Sequence, residues 1–415
     1  EHYYNHTYAF KIVDMWWTDL VKGTPENYTL LTGMEGQLST ILYRDQVRDL
    51  IEKHEEAHPF FLYYATQNVH GPLDDIRDMS IFTNDQIKAL SSIETSERRI
   101  FGKLVGALDH AVEDMVQNLK KKNNMWDHTV LIFTSDNGGC DAGGGYNTPL
   151  RGGKHFLFEG GIRVPAFLYS PLLEDSVKGT TYNGLIHISD MFATVIRITG
   201  HDVPDDIDGI DQWDAIQGKA DPPRTEIMHN IDYWNFPTPT TSSTLQMMKQ
   251  PRAAYRSGDM KLILHHWQMG WASPHSAGES DAEKPANLGI ADCADPPEGN
   301  LPIDWLFNIT ADPEERINLI KEPVYEHTIQ RMRAKIIMEA NNMNMASWMN
   351  EDPQAVQTWM ITGFISPWMT KSSLPSPDSV DTDPSADAPD DDSKDGGIGD
   401  GTEDQINEIS DSGRN

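Results

Sequence analysis

A chain of 415 residues with 38% apolar content is long enough for one large α/β domain and a smaller companion. It contains no run of eighteen apolar residues, which excludes a transmembrane helix. Its net charge of −31 argues against nucleic acid as a partner; from Lys371 onward thirteen acids face three bases, so the tail supplies −10 and the body −21.

The chain opens on Glu1-His-Tyr-Tyr, without an initiator Met or an apolar leader, as a processed product or a fragment would. Three Asn-x-Ser/Thr sequons, at Asn5, Asn27 and Asn308, are candidate glycosylation sites and point to the secretory pathway, secreted or lysosomal. Gln37 to Glu56 places Leu38, Ile41, Leu42, Val47, Leu50 and Ile51 near helical spacing and reads as an amphipathic helix. Pro59–Ala65 reads as a short apolar strand leading to His70. A long helix is expected over Ser96–Lys121, strands over Thr129–Thr134 and Ile162–Ser170, and a helix over Asp190–Thr199 that stops at Gly200. Helix and strand in alternation are the cadence of an α/β layer fold.

After Pro251 the texture changes. Arg252–Trp267 reads as a hairpin turning on Ser257-Gly258-Asp259, Trp305–Asn308 as a further strand, and Glu322–Ala340 as a helix. Residues 274–300, rich in Pro, Gly and Asp, read as a long loop. Three units are therefore expected: 1–248, the larger α/β portion; 249–370, a small α+β domain; and 371–415, an acidic tail too poor in apolar residues to offset its ordering entropy, hence disordered.

The most informative stretch follows Thr129–Thr134. Ser135-Asp136-Asn137-Gly138-Gly139 puts two hard oxygen donors at the carboxyl end of a strand, where α/β sheets bind ligands and where Ca²⁺ or Mg²⁺ is suited. Taken by itself the same pentapeptide is equally a turn. The two cysteines, Cys140 and Cys293, could pair with each other or with partners elsewhere. Trp16-Trp17 read as buried aromatics, His187 and Asp190 as packing and helix capping, and Glu159 and Arg163 as a structural ion pair. His155 and the pair His265-His266 receive no role; in a hairpin, alternation places one of the pair inside and one outside.

Several motifs together resemble the sulfatase family: Thr134–Gly139, Pro149-Leu-Arg-Gly-Gly-Lys154, Glu159-Gly-Gly-Ile-Arg163 and Leu306–Leu319. Val69-His70-Gly71-Pro, Leu185–Asp190, Gly209–Trp213 and Met228–Asp232 narrow the likeness to the arylsulfatase B branch, which acts on sulfated N-acetylgalactosamine-type glycans. The resemblance runs in consistent order over roughly residues 1–345 and implies an alkaline-phosphatase-like mixed sheet flanked by helices, followed by a small C-terminal α+β domain. It implies one Ca²⁺, for which Asp136 and Asn137 match two ligands, and a formylglycine nucleophile made from Cys in a Cys-x-Pro-x-Arg motif. By the same resemblance Lys154 contacts the sulfate and the leaving oxygen, and His70 hydrogen-bonds the sulfate and protonates the leaving group. A sulfated glycan or aryl sulfate is the implied substrate. Gly71 stands where the arylsulfatase B pattern typically carries Glu, which weakens the carry-over of substrate more than that of reaction type.

Neither Cys140 nor Cys293 lies in Cys-x-Pro-x-Arg, and the family's Asp-Asp pair and Lys-x-His-x-Gly element are also absent from these residues. The expectation is that the N-terminal part bearing them lies outside this chain, leaving the sheet with an unpaired edge. The alternative is a sulfatase-like extracellular protein without catalysis, its acidic tail binding matrix or mineral. A phosphoesterase on the same fold, using Ser or Thr, is the remaining option. Residues 1–415 produced alone are expected neither to fold stably nor to hydrolyse 4-nitrocatechol sulfate; soluble monomeric protein with turnover above background would overturn this.

Overall fold

The computed structural model describes residues 7–10, 15–18, 20–24, 27–71, 73–122, 124–140, 143–232, 252–271, 302–343 and 353–362. The expected loop at 274–300 and the acidic tail at 371–415 lie outside these residues, as does Asn5.

Two antiparallel hairpins come first: β1 (Thr7–Phe10) with β2 (Met15–Thr18), and β3 (Val21–Thr24) with β4 (Asn27–Leu30). Trp16 and Trp17 lie in β2 and Asn27 opens β4. Three helices follow, α1 (Ser39–Lys53), α2 (Asn84–Ser91) and α3 (Ser96–Lys121). Thr83 starts α2 with a reciprocal capping box, its hydroxyl accepting from Gln86 N while Gln86 Oε1 accepts from Thr83 N. Leu38, Phe82, Leu104 and Ala107 form the core joining these helices, and a Cβ at Gly106 would crowd the Phe82 ring. Val47, Ile51 and Leu119 make a second cluster under Leu62, Tyr64 and Trp126.

The segment 59–65 differs from expectation: it takes no regular secondary structure and belongs to no sheet among the described residues. An apolar run becomes a strand only where a neighbour takes up its backbone groups. Leu62 and Tyr64 pack against α1 and α3, whereas Phe61 and Tyr63 are 77% and 83% exposed. The strands β5 (Leu131–Thr134) and β6 (Ala166–Tyr169) pair antiparallel, with Phe133 stacked on Phe167 at 5.2 Å between ring centroids. Between them lies α4 (Glu159–Ile162); after them come α5 (Asp190–Ile198), closed by Gly200 at φ +81°, and α6 (Trp213–Ile216).

A four-stranded antiparallel sheet completes the fold, in spatial order β10-β9-β8-β7. Its strands are β7 (Glu226–Asp232), β8 (Arg252–Ser257), β9 (Met260–His266) and β10 (Ile303–Asn308). The edge strand β7 precedes residue 248, so this sheet draws on both sides of the boundary expected there. Gly258, at φ +56°, makes the β8–β9 turn. The alternation of the strands is legible in what each face buries. Ala253, Tyr255, Leu262, Leu264 and Leu306 meet Ile329, Met332 and Ile336 of α7 (Glu326–Asn342). Ala254, Ile263, Trp305 and Phe307 meet Phe156, Leu157 and Phe158. A last helix, α8, spans Pro353–Thr362.

On that second face Lys261, fully buried, donates to Glu159 Oε1 and to Glu315 Oε1, each at 2.9 Å. Glu159 Oε2 lies 3.9 Å from Arg163 Nη1, so the expected pair with Arg163 is the lesser of its contacts. Burial pushes the Glu315 carboxyl up, against the pull of Lys261. Glu315 also sits in the left-handed region, at φ +57°.

His265, at φ +50°, interrupts the β9 alternation where the β10 register also shifts. His266 thereby turns inward against Phe156 and Phe158, and its Nε2 accepts from Leu157 N at 3.1 Å. Its Nδ1 then carries the proton and donates to Trp267 O at 3.1 Å. Burial lowers its pKa to about 3.

Lys261→Met leaves two buried carboxylates facing each other, so unfolding free energy at pH 7 falls by about 3–5 kcal/mol in urea titration, and Glu315→Gln added to it restores part of the loss. For His266 the free imidazole value is 6.5 and the folded one about 3, so the unfolded chain binds the extra proton first as pH falls. Its contribution is fully present above about pH 6.5 and declines by about 1.4 kcal/mol per pH unit below it. Urea midpoints between pH 7 and 5 should drop steeply in the parent protein and less in His266→Gln.

Candidate functional site

The site is assembled by three loops and held chiefly by backbone. The first follows β5. Ser135 N donates to Pro165 O at 3.2 Å, continuing the β5–β6 pairing one step, and Ser135 Oγ closes a turn on Asn137 O at 2.9 Å. Asp136 Oδ1 accepts from Asn137 N at 2.9 Å, and Asn137 Nδ2 donates to Gly138 O at 3.0 Å. The expected metal pair is thus also a hydrogen-bonded turn, and the two readings coexist. Asp136 Oδ2 and Asn137 Oδ1 take no other bond among the described residues and are hard donors of the kind Ca²⁺ prefers. Two oxygens alone fall short of the six to eight such an ion takes. The described residues hold no cluster of three or more His, Cys, Asp or Glu fit for a metal.

The second loop runs from Asn147 to Lys154. Gly152 N donates to Gly270 O at 3.0 Å and Lys154 N to Gly139 O at 3.1 Å. Arg151 is buried with its guanidinium 4.3 Å from the Trp305 ring centroid, 4.4 Å from Phe158 and 4.7 Å from Trp271. It donates to Met269 O at 2.6 Å and to Glu315 O at 3.0 Å. Burial lowers its pKa to about 10, which leaves it charged at neutral pH. The loop bearing Lys154 is therefore fastened to the four-stranded sheet unit through Arg151 and Gly152, and to the loop after β5 through Gly139.

The third loop enters α4. Gly138 N donates to Gly161 O at 2.9 Å and Gly160 N to Arg151 O at 2.7 Å. Any Cβ at Gly138 would overlap the Gly160 carbonyl, and one at Gly160 or Gly161 would overlap carbonyls of the second loop. This close approach is the reason for the paired glycines.

His70 reaches the same place from another side. Asn68, two residues earlier, accepts from Thr40 Oγ1 at 2.6 Å and donates to Leu104 O at 2.8 Å, tying this segment to α1 and α3. His70 Nδ1 lies 2.7 Å from Gly71 O and must donate to it, which turns Nε2 outward as an acceptor. Lys154 Nζ lies 2.9 Å from that Nε2. Two residues 84 positions apart, both expected at the site, are thus brought into contact. A Cβ at Gly71 would meet nothing within 4 Å.

Other expectations resolve as follows. Asp190 does not cap α5; it is a buried hub that accepts from His187 N, Ile210 N and Gln212 Nε2, and pairs with Arg224. A helix-starting acid with so many donors within reach serves them before the helix end. His155, at φ +73°, has its pKa lowered by burial, with Lys154 and Arg252 adding to it. Cys140 is disulfide-bonded, and Cys293 lies outside the described residues. Asn308 ends β10 with its Oδ1 accepting from Ala311 N at 3.0 Å. Lys261 had no sequence signal separating it from an ordinary strand residue; Asn147, Arg151 and Glu315 stand in or next to the matched motifs, but nothing in those motifs gave them a role.

With this geometry in place, comparison is informative. Residues 1–201 match the family model described as Sulfatase. Over that span the chain belongs to the sulfatase family. Arylsulfatase J of Mus musculus is 33% identical over 294 residues, covering 68% of this chain and 46% of that protein. N-acetylgalactosamine-6-sulfatase of Homo sapiens is 30% identical over 177 residues, 41% of this chain and 31% of that one. The chain spans less than half the length of these two relatives. Among solved structures, the PsFucS1 sulfatase from Pseudoalteromonas sp. superposes with TM-score 0.52 at 20% identity, covering 79% of this chain and 59% of that one. The Ps i-CgsB structure in complex with k-i-k-neocarrahexaose gives TM-score 0.56 at 22% identity, with 81% and 62% covered. These likenesses show the α/β sulfatase fold.

The acidic limb of stability should also report on His229 of β7, whose pKa burial lowers well below 6.5. By the same sign as His266, its neutral form stabilises the fold above about pH 6.5, so His229→Gln should flatten the pH 7-to-5 slope of urea midpoints and be additive with His266→Gln.

Proposed function

We propose that this chain supplies the sulfate-recognising side of an arylsulfatase that hydrolyses sulfate esters on glycans. The finer assignment is an arylsulfatase B-like enzyme of the secretory pathway, secreted or lysosomal, acting on N-acetylgalactosamine-type sulfated glycans. The observation that carries the reading is the 2.9 Å contact of Lys154 Nζ with His70 Nε2, on a lysine whose backbone is bonded to Gly139, two residues after Asn137.

A sulfate ester carries one negative charge over its free oxygens, and rupture of the S–O bond leaves negative charge on the departing oxygen. The Lys154 ammonium, a compact point charge, suits both the sulfate oxygens and the departing one. An ester entering between Lys154 and His70 would replace their mutual contact. His70 Nε2, released from Lys154, would take a proton from solvent and pass it to the leaving oxygen as the S–O bond breaks. Its Nδ1–H, engaged with Gly71 O, keeps the ring aimed. Asp136 and Asn137 would hold a Ca²⁺ that neutralises sulfate charge, and a formylglycine would supply the attacking oxygen, its Cys-x-Pro-x-Arg motif being absent from these 415 residues.

Lys154→Ala and His70→Ala, in protein expressed from the complete coding sequence, are each expected to lower kcat/KM on 4-nitrocatechol sulfate by about 100- to 1000-fold. Unchanged turnover in either variant, or none in the parent protein, would refute the reading. The second reading, a non-catalytic extracellular protein whose acidic tail binds matrix or mineral, is favoured if the transcript encodes another residue where Cys-x-Pro-x-Arg is expected.

A further inference from the structure

We infer that Asn147 is a positioning residue of this site, holding the Asp136-Asn137 loop and the Lys154 loop at fixed separation; the inference rests on the sulfatase reading for its functional consequence alone. Asn147 Oδ1 accepts from Gly139 N at 2.7 Å, and Nδ2 donates to Gly139 O at 2.9 Å and to Gly152 O at 3.1 Å. One carboxamide thus satisfies both backbone groups of Gly139, two residues after Asn137, and the carbonyl two residues before Lys154. Its oxygen and both its N–H groups are used, the full donor capacity of an amide. The gap it fills exists because Gly153 lacks a Cβ, which would stand 2.9 Å from Asn147 Nδ2. The Lys154 N to Gly139 O bond at 3.1 Å is a further direct strut between the same two segments.

The need for such a clamp is physical. Asp136 and Asn137 ride on β5, whereas the Lys154 loop is fastened through Arg151 to the four-stranded sheet unit. Two charge-bearing loops with separate anchors drift relative to each other unless something spans them. A misplacement of about 1 Å between reacting groups costs about 100-fold in rate. Asn147 spans them and touches neither Lys154 Nζ nor the Asp136 carboxylate, so it acts through the backbone. No residue type other than Asn both accepts from one N–H and donates to two carbonyls at this reach: Asp of the same shape loses both donors and turns a charge toward two carbonyl oxygens.

The test uses Asn147→Ala and Asn147→Asp in protein from the complete coding sequence, read by amide hydrogen exchange and by kinetics. Exchange of the Gly139 and Lys154 amides should rise at least tenfold in both variants, with amides of α3 and β7–β10 unchanged. Turnover of 4-nitrocatechol sulfate should fall about 100-fold, in kcat more than in KM, and more in Asn147→Asp than in Asn147→Ala. Unchanged exchange in the two loops overturns the inference, as does a rise spread over the whole fold, or loosened loops with intact kcat. Loosened loops in a parent protein without sulfatase activity would leave the clamp standing and remove the sulfatase reading instead.

Discussion

The molecule depends on a single buried ammonium. Lys261 stands on β9 of the four-stranded sheet, and its two partners come from different parts of the chain, Glu159 at the start of α4 and Glu315 beyond β10. Two carboxylates and one ammonium without water are tolerable only when every charge is met. Arg151 adds the second cation, its guanidinium donating to Glu315 O and stacked among Trp305, Phe158 and Trp271. The ionic core therefore fixes where α4 and the Lys154 loop lie relative to the sheet. The functional loops inherit their placement from it.

That dependence explains why a unit far along the chain matters to chemistry placed near its middle. The sheet β7–β10 contributes no group to the His70–Lys154 contact. It contributes the wall against which Phe156 and Phe158 pack and the carbonyls of Met269 and Gly270 that receive Arg151 and Gly152. A sulfate-binding lysine on a long flexible stem is useful only if its backbone does not move.

Much of the fold was legible because periodicity reports burial directly. The α3 boundaries Ser96–Lys121 and the turn at Gly258 follow from apolar spacing and one glycine. Motif resemblance singles out His70, Lys154, Asp136 and Asn137; the structure brings His70 and Lys154 into contact and bonds the Lys154 backbone to Gly139, two residues after Asn137. The segment 59–65 was misread because an apolar run encodes a preference, while a strand also requires a partner. Asp190 was misread because local sequence shows the helix start and hides the Arg224 and Gln212 that arrive from later in the chain. Lys261 was silent, and Glu315 and Asn147 were present in or next to motifs without a role, for the same reason: their meaning lies in contacts 54, 102 and 8 residues away.

The interleaved glycines carry a consequence for how such a site diversifies. Where Gly138, Gly153, Gly160 and Gly161 lie backbone to backbone, no side chain of any kind is admissible. The centre is thus closed to variation by substitution, whereas Gly71, adjoining His70, faces open space and admits a side chain without disturbing the loops. Variation in size and charge is refused where the backbones interleave and admitted beside the His70–Lys154 contact.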